Sequence, residues 1–285
     1  MAPSSSRRRT AVLAGLGLAG LAVARSRKYS FERDVQRRVG DLVADADPQH
    51  GARFTSEDVA DVPAPVRRYA ERVLDDGQPY VRRGQLHQDG EFRLGDAWHP
   101  LTATEWFSTQ PPGFVWDATI DVMPLLPVRV IDSYQDAQGA LEARLRSTLP
   151  VMRAGPSPEM SQGELVRYLA EAVWYPTALL PTQGVSWEPV DDESAQATLK
   201  DPHVTATVVF HFDDADHITA VTTERYHQED GSFARWRGTF DDYEEHNGLE
   251  IPTTAAVAWE SEDEPYWRGD LRSIEHVVAN DDHER

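Results

Sequence analysis

The 285-residue chain has no cysteine and only two lysines, Lys28 and Lys200, and no acidic residue precedes Glu32. Without cysteine, disulfides, thiolate zinc sites, a cysteine nucleophile and lipid attachment through an N-terminal cysteine are all excluded, while the redox compartment is left open. The two lysines stand against 26 Arg, 27 Asp and 21 Glu. Dense hydrated carboxylates with little lysine are the compositional habit of salt-loving microbes, whose salt screens the mutual repulsion over a few Å. The composition thus points to a halophilic archaeal origin. The chain also lacks a Gly-x-Ser-x-Gly elbow, a phosphate-binding glycine loop and a His-Glu-x-x-His helix, so no catalytic motif stands out and no cofactor is expected. There is no internal repeat.

The charge that is present is divided sharply. Every charged residue among the first 28 is a cation (Arg7, Arg8, Arg9, Arg25, Arg27, Lys28), and setting these six aside from the net −20 leaves −26 on the remainder. A body of that charge, with no basic stripe, is repelled by phosphate backbones, so nucleic acid is excluded as a partner. Between the cationic clusters runs residues 10–24, TAVLAGLGLAGLAVA. As a helix it would span about 22 Å against roughly 30 Å of bilayer hydrocarbon, short for a crossing. Two readings stay open. Ala22-Val23-Ala24 offers a small-x-small cleavage site behind a signal-peptide core, and Ser6-Arg7-Arg8 loosely resembles the start of a twin-arginine signal. The arginines at both ends instead favour an uncleaved single-pass anchor that snorkels to both interfaces. Three cations on each side leave the positive-inside rule nearly tied, so the body is expected outside the cytoplasm because export signals run that way, held at the cell membrane by its N-terminal segment or secreted after cleavage.

From Tyr29 the apolar residues Phe31, Val35, Val39, Leu42 and Val43 recur at helical spacing, and a second helix opens at Pro63-Ala64-Pro65 with Val66, Tyr69, Ala70 and Val73 on one face. The period then becomes two. Strands are predicted at 80–87 and 91–94 around an Asp89-Gly90 hairpin, and at 101–107, 114–121, 128–134 and 141–146. One helix interrupts them, opened by a Ser161-Gln162-Gly163-Glu164 capping box and ended by Pro176. Strands resume at 195–200, 204–212, 218–227, 234–243, 251–259 and 270–278, with turns at Asp230-Gly231 and Asn247-Gly248. Eleven or twelve strands with an inserted helix and no βαβ alternation predict a mainly β, α+β fold. Its expected form is one large curved antiparallel sheet or half-barrel preceded by N-terminal helices. The expected organisation is a leader at 1–28, juxtamembrane helices at 29–77, the half-barrel at 78–279 and an acidic tail at 280–285.

Four segments carry a resemblance: LTATEWFSTQPPGFVWDA (101–118), GELVRYLAEAVWYPTALL (163–180), VSWEPVDDESAQA (185–197) and WRGTFDDY (236–243). Together they resemble an uncharacterised bacterial and archaeal family, a domain of unknown function, over roughly residues 63–278. The resemblance implies an architecture similar to the curved, helix-plugged half-barrel of periplasmic lipoprotein carriers, and with it a possible apolar ligand.

A sheet that fails to close has a concave face. The aromatics Trp106, Phe114, Trp116, Trp174, Tyr175 and Trp236 are candidates to line a groove there, or else simply fill the core. Arg225 and Arg237 can hold a phosphate or carboxylate if they point inward, or be claimed by structural ion pairs with Glu171, Glu224 or Asp241. His203, His211, His217 and His227 lie on adjacent strands, but a metal site needs three ligands to converge, and solvent-facing histidines are the commoner outcome. The Asp213–Asp216 turn lacks the oxygen pattern and glycine of a calcium loop. Glu105 and Glu171 are the carboxylates nearest aromatics, where burial would raise a pKa.

The function expected is a membrane-tethered protein that binds a lipid or other apolar ligand in a concave sheet. The alternatives are an enzyme using Glu105, Glu171 or the His211 region on a membrane-derived substrate, or a structural envelope module with an exposed apolar patch.

Overall fold

The structure, a computed structural model, describes residues 5–46, 52–227 and 230–279, with side chains from Arg25 onward. Among these, thirteen strands form one antiparallel sheet curled into a half-barrel. Six of them run as a meander: β1 (Val81–Leu94), β2 (Ala97–Ser108), β3 (Gly113–Ile120), β4 (Val128–Gln135), β5 (Gln138–Leu145) and β6 (Leu149–Ala154). Seven more follow after a helical interruption: β7 (Val185–Pro189), β8 (Ser194–Asp201), β9 (Val204–Phe212), β10 (Ile218–His227), β11 (Ser232–His246), β12 (Leu249–Trp259) and β13 (Trp267–Val278). The meanders join where β1 pairs with β13, leaving β6 and β7 as the two outer edges.

The order follows from the side chains. Side chains on a strand point alternately to the two faces, and the inward set, Leu86, Phe107, Phe114, Trp116, Val208, Phe210, Val221, Trp236 and Ile251, is buried. Asn247 and Gly248 both take positive φ, 55° and 79°, the two-residue turn that an Asn-Gly pair predicts. The predicted Asp89-Gly90 hairpin is not a turn. β1 continues through it, and the chain reverses at Gly95, whose φ is 59°. Gly90 serves a different purpose: a Cβ there would lie 2.3 Å from the Arg268 carbonyl oxygen, so its bareness lets β13 approach. Strands β6 and β7, which the sequence reading did not single out, carry Pro150 and Pro189, and proline is tolerated at sheet edges.

Helix α1 (Ser5–Asp45) is continuous through the apolar run into the amphipathic segment, with residues 5–24 described as backbone only. Its buried Phe31, Val35 and Leu42 pack on Val115 and Ile131 of the sheet's outer face. Among the described residues, no helix is long and apolar enough to cross a membrane. Helix α2 (Ala64–Val73) buries Val66, Tyr69, Ala70 and Val73, as its spacing predicts. The predicted acidic tail at 280–285 lies outside the described residues.

Helix α3 (Pro158–Glu171) crosses the concave face, touching β3, β4 and β5 on one side and β9 and β10 on the other. It opens three residues before the predicted capping box. Ser157 accepts a hydrogen bond from the Met160 amide at 3.1 Å, with Pro158 in the first turn. Ser161 is thereby freed to accept from the Gly139 amide, and Glu164 turns into the core. Three short 3₁₀ turns, Ala172–Trp174, Pro176–Leu179 and Pro181–Gln183, carry the chain out to β7.

Candidate functional site

The register of the first meander places Leu86, Glu105, Trp116, Asp132 and Leu141 in one row across β1 to β5. Two carboxylates thus flank a tryptophan on the inner wall. Arg167 of α3 is laid on top. Its guanidinium carbon lies 4.9 Å from the Trp116 ring centroid and 4.7 Å from that of Phe114. Its nitrogens donate to Glu105 Oε2 at 3.0 Å, Asp132 Oδ2 at 2.8 Å and, within the helix, Glu171 Oε1 at 2.9 Å. A planar fork stacked on two rings while serving three carboxylates is a geometry lysine cannot supply.

One turn earlier on α3, Glu164 accepts from Arg225 of β10 at 2.8 Å, and Arg225 lies 5.7 Å from the Trp236 ring. The helix is therefore tied to both halves of the sheet. The buried set holds four carboxylates against two guanidiniums. Burial, reinforced by the Glu171 charge, pushes Glu105 well above the usual carboxylate range despite Arg167. Burial and then Asp132 push Glu164 up to about 8, and burial raises Glu171 as well, with Arg167 opposing. One oxygen on each of Glu105, Glu164 and Glu171 is buried without a hydrogen-bond partner, as expected where neighbouring acids share protons that balance the surplus charge.

Of the aromatics singled out from sequence, Phe114, Trp116 and Trp236 lie against these two arginines and the rest are dispersed. Phe114 and Tyr175 are fully buried, and Tyr175 stacks on Phe107 at 4.1 Å while donating to the Tyr168 carbonyl at 3.1 Å. Trp174 donates to the Pro252 carbonyl at 3.0 Å, Trp116 to Gln88 at 3.1 Å and Trp236 to the Tyr266 hydroxyl at 2.9 Å. Trp106 stands on the opposite face, half-buried against the cluster under α1 and bonded to Gln85 at 2.9 Å. Arg225 points inward and Arg237 is exposed on the outer face. Glu105, Glu171 and Arg225 stand out in the sequence, whereas Arg167, Asp132 and Glu164 do not, because their partners are up to 62 residues away along the chain.

The histidines do not converge. His211 bonds Thr222 at 2.9 Å, His217 stacks on Tyr243 at 4.1 Å and His227 bonds Asp230 at 2.7 Å. Among the described residues, no group of three or more His, Asp or Glu side chains is placed to hold a metal. In the Asp213–Asp216 turn, Asp213 Oδ1 accepts from the Ala215 and His217 amides and Asp216 pairs with Arg68 at 2.6 Å. A hollow of about 810 Å³ lies on the outer face of β10 to β13 and β1, walled by Asp89, Glu91, Asp241, Arg268 and Arg272. Its charged lining sets it apart from the aromatic inner wall.

Several solved structures match about three quarters of this chain. A DUF1329 family protein from Desulfovibrio piger matches with a TM-score of 0.43 and 9% identity, covering 76% of this chain and 92% of that one. A putative outer membrane lipoprotein-sorting protein domain from Vibrio parahaemolyticus matches at 0.39 and 10%, over 76% and 93%. A LolA superfamily protein from Nitrosomonas europaea matches at 0.39 and 11%, over 74% and 91%. Likeness at this level carries no function across. No relative is found among the curated proteins. A family model matches residues 52–269, from the segment before α2 to β13, and the chain belongs to that family of unknown function, DUF6544.

Proposed function

We propose that this chain is a membrane-tethered, extracytoplasmic module whose half-barrel receives an apolar chain, such as a lipid tail, on the wall that α3 covers. One observation carries the reading: α3 is fastened to an aromatic wall by buried ions. A permanent plug is better served by apolar packing, because burying two guanidiniums with four acids, some of them holding protons, costs more than their attraction returns in many buried pairs. Charges kept at such a place suit a helix that is held in one geometry and can leave for water. Lifting α3 would bare Phe114, Trp116 and Trp236, with Trp174 and Tyr175 at the exit of the helix. Arg225, released from Glu164, would remain on β10 to meet an anionic head group. The tether is residues 10–24 of α1 with cations at both ends, oriented as export signals run.

The test is native mass spectrometry and solvent extraction of the full chain purified from membranes in mild detergent. The expected result is a bound long-chain molecule, and uptake of a fluorescent long-chain fatty acid that Trp116→Ala weakens. A chain that carries no adduct and takes up no fatty acid while folded would overturn the reading.

A further inference from the structure

One corner of the half-barrel is apolar and uncovered. Residues 121–127, between β3 and β4, present Met123 and Leu125, and the adjoining β5–β6 turn and edge strand present Leu149, Val151 and Met152, all exposed. The two loops are joined, the Arg146 amide donating to the Pro127 carbonyl at 2.8 Å. Leu125 is 86% exposed and holds a φ of 65°. A bulky side chain in the left-handed region, aimed at water, is a double cost that folding alone does not require.

The course of α1 says what covers this corner. The helix starts its climb with Leu42 beside Gly113, at the lower end of β3. It reaches the upper end with Phe31 lying 5.4 Å and 4.3 Å from the guanidinium carbons of Arg129 and Arg144, just after the first loop and just before the second. Six residues further up is Arg25, about 9 Å at helical rise, followed by the apolar run. The body's apolar tips thus stand at the end where α1 leaves towards its apolar run. Charge is consistent: Arg25, Arg27 and Lys28 lie on α1 beyond Phe31 and Arg146 lies in the β5–β6 turn, against Glu32, which pairs with Lys28, and Asp96 and Asp121 in turns at the same end of the strands. The acidic stretch at 260–264 shares this rim on the β12–β13 side, so contact is confined to the β3–β6 corner beside α1.

We infer that this corner docks on an anionic lipid bilayer, with Leu125, Met123 and Leu149 inserted at the headgroup level beside α1 and the flanking cations on lipid phosphates. The inference rests on the tether reading above and adds that the body, despite its −26, sits on the membrane by a fixed corner, so that any ligand is exchanged at a set height. The cysteine-free sequence makes the test clean. The full chain carrying Leu125→Cys or Leu149→Cys, labelled with an environment-sensitive dye, is incorporated into phosphatidylcholine–phosphatidylglycerol vesicles containing doxyl-labelled lipid. Exposed Gln138→Cys, at the far end of β5, is the reference. Quenching at 125 and 149 at least about threefold greater than at 138 is expected for side chains at the interface. Flotation with all three labels in water would overturn the docking alone. Failure to float would overturn both docking and tether. A blue shift that grows with protein concentration in detergent without vesicles would assign the corner to a second copy of the chain and overturn the inference.

Discussion

Arg167 of α3 lies over the face of Trp116 of β3, 4.9 Å from its ring centroid, and reaches past the ring to the carboxylates that neighbour it on β2 and β4. The arrangement couples the seating of the helix to the charge state of the inner wall, and each consequence is measurable.

Arg167→Met keeps the stacking volume but strands Glu105, Asp132 and Glu171. Breaking a buried pair from one side typically costs about 3–5 kcal/mol, so chemical denaturation should show a loss of that size. Adding Asp132→Asn, Glu105→Gln and Glu171→Gln removes all three stranded acids and should restore much of it. A loss below about 1 kcal/mol would show that water already reaches the cluster.

Stability should fall as pH rises. Glu164, with its pKa raised to about 8 by burial and Asp132, keeps its proton when folded under conditions where the unfolded chain has lost it. The native state therefore binds more protons across the interval. Its stabilisation is complete below the ordinary carboxylate range and is lost as pH climbs to about 8. Melting scans should show the midpoint dropping on the order of 5 °C or more over that window. Glu164→Gln, which keeps a carbonyl for Arg225, should flatten the slope, and an unchanged slope would assign it elsewhere.

Two glycines should respond differently to alanine. At Gly90 the new Cβ would meet the Arg268 carbonyl oxygen at 2.3 Å and the Gly269 Cα at 2.9 Å, prising β1 from β13. At Gly95 nothing lies within 4 Å and only the positive φ objects. Gly90→Ala should cost about 2–3 kcal/mol or more through overpacking, and Gly95→Ala about 1–2 kcal/mol through backbone strain. Equal losses by urea titration would contradict the closeness of the seam.

Phe31 anchors α1 to the outer face, buried near Val115 and Ile131 and capped by Arg129 and Arg144. Phe31→Ala should cost about 3–5 kcal/mol of local packing, paid mainly in detachment of the helix. Limited proteolysis should then cleave within residues 25–46, with the emission of Trp106 shifting to the red. Resistance equal to the parent chain would mean that Val35 and Leu42 hold α1 without it.

The elements were legible where one face of a single segment decides the outcome. Period and turn signals placed β3, β9, β10 and the middle of β11, helical spacing placed α2 and the packed half of α1, and Asn247-Gly248 marked its turn. Asp89-Gly90 misled because glycine permits either a turn or a close approach, and only the arrival of β13 shows which. Ser161 to Glu164 misled because the helix is N-capped by Ser157 instead, without a capping box, and Glu164 has a distant partner in Arg225. The exposed-looking prolines of β6 and β7 hid two strands, whose pairing each needs only on one side.

By itself the sequence determined the cation-flanked apolar run, the anionic composition, the exclusion of thiol chemistry, and a large antiparallel sheet carrying one inserted helix, because composition and period act residue by residue. Only the tertiary structure decided that the helix covers the concave face, that Arg167 gathers carboxylates from β2 and β4, and that Met123, Leu125 and Leu149 share a corner with α1. Those are juxtapositions across 24 to 62 residues of chain or more, set by strand register and sheet curvature, and no local spacing records them.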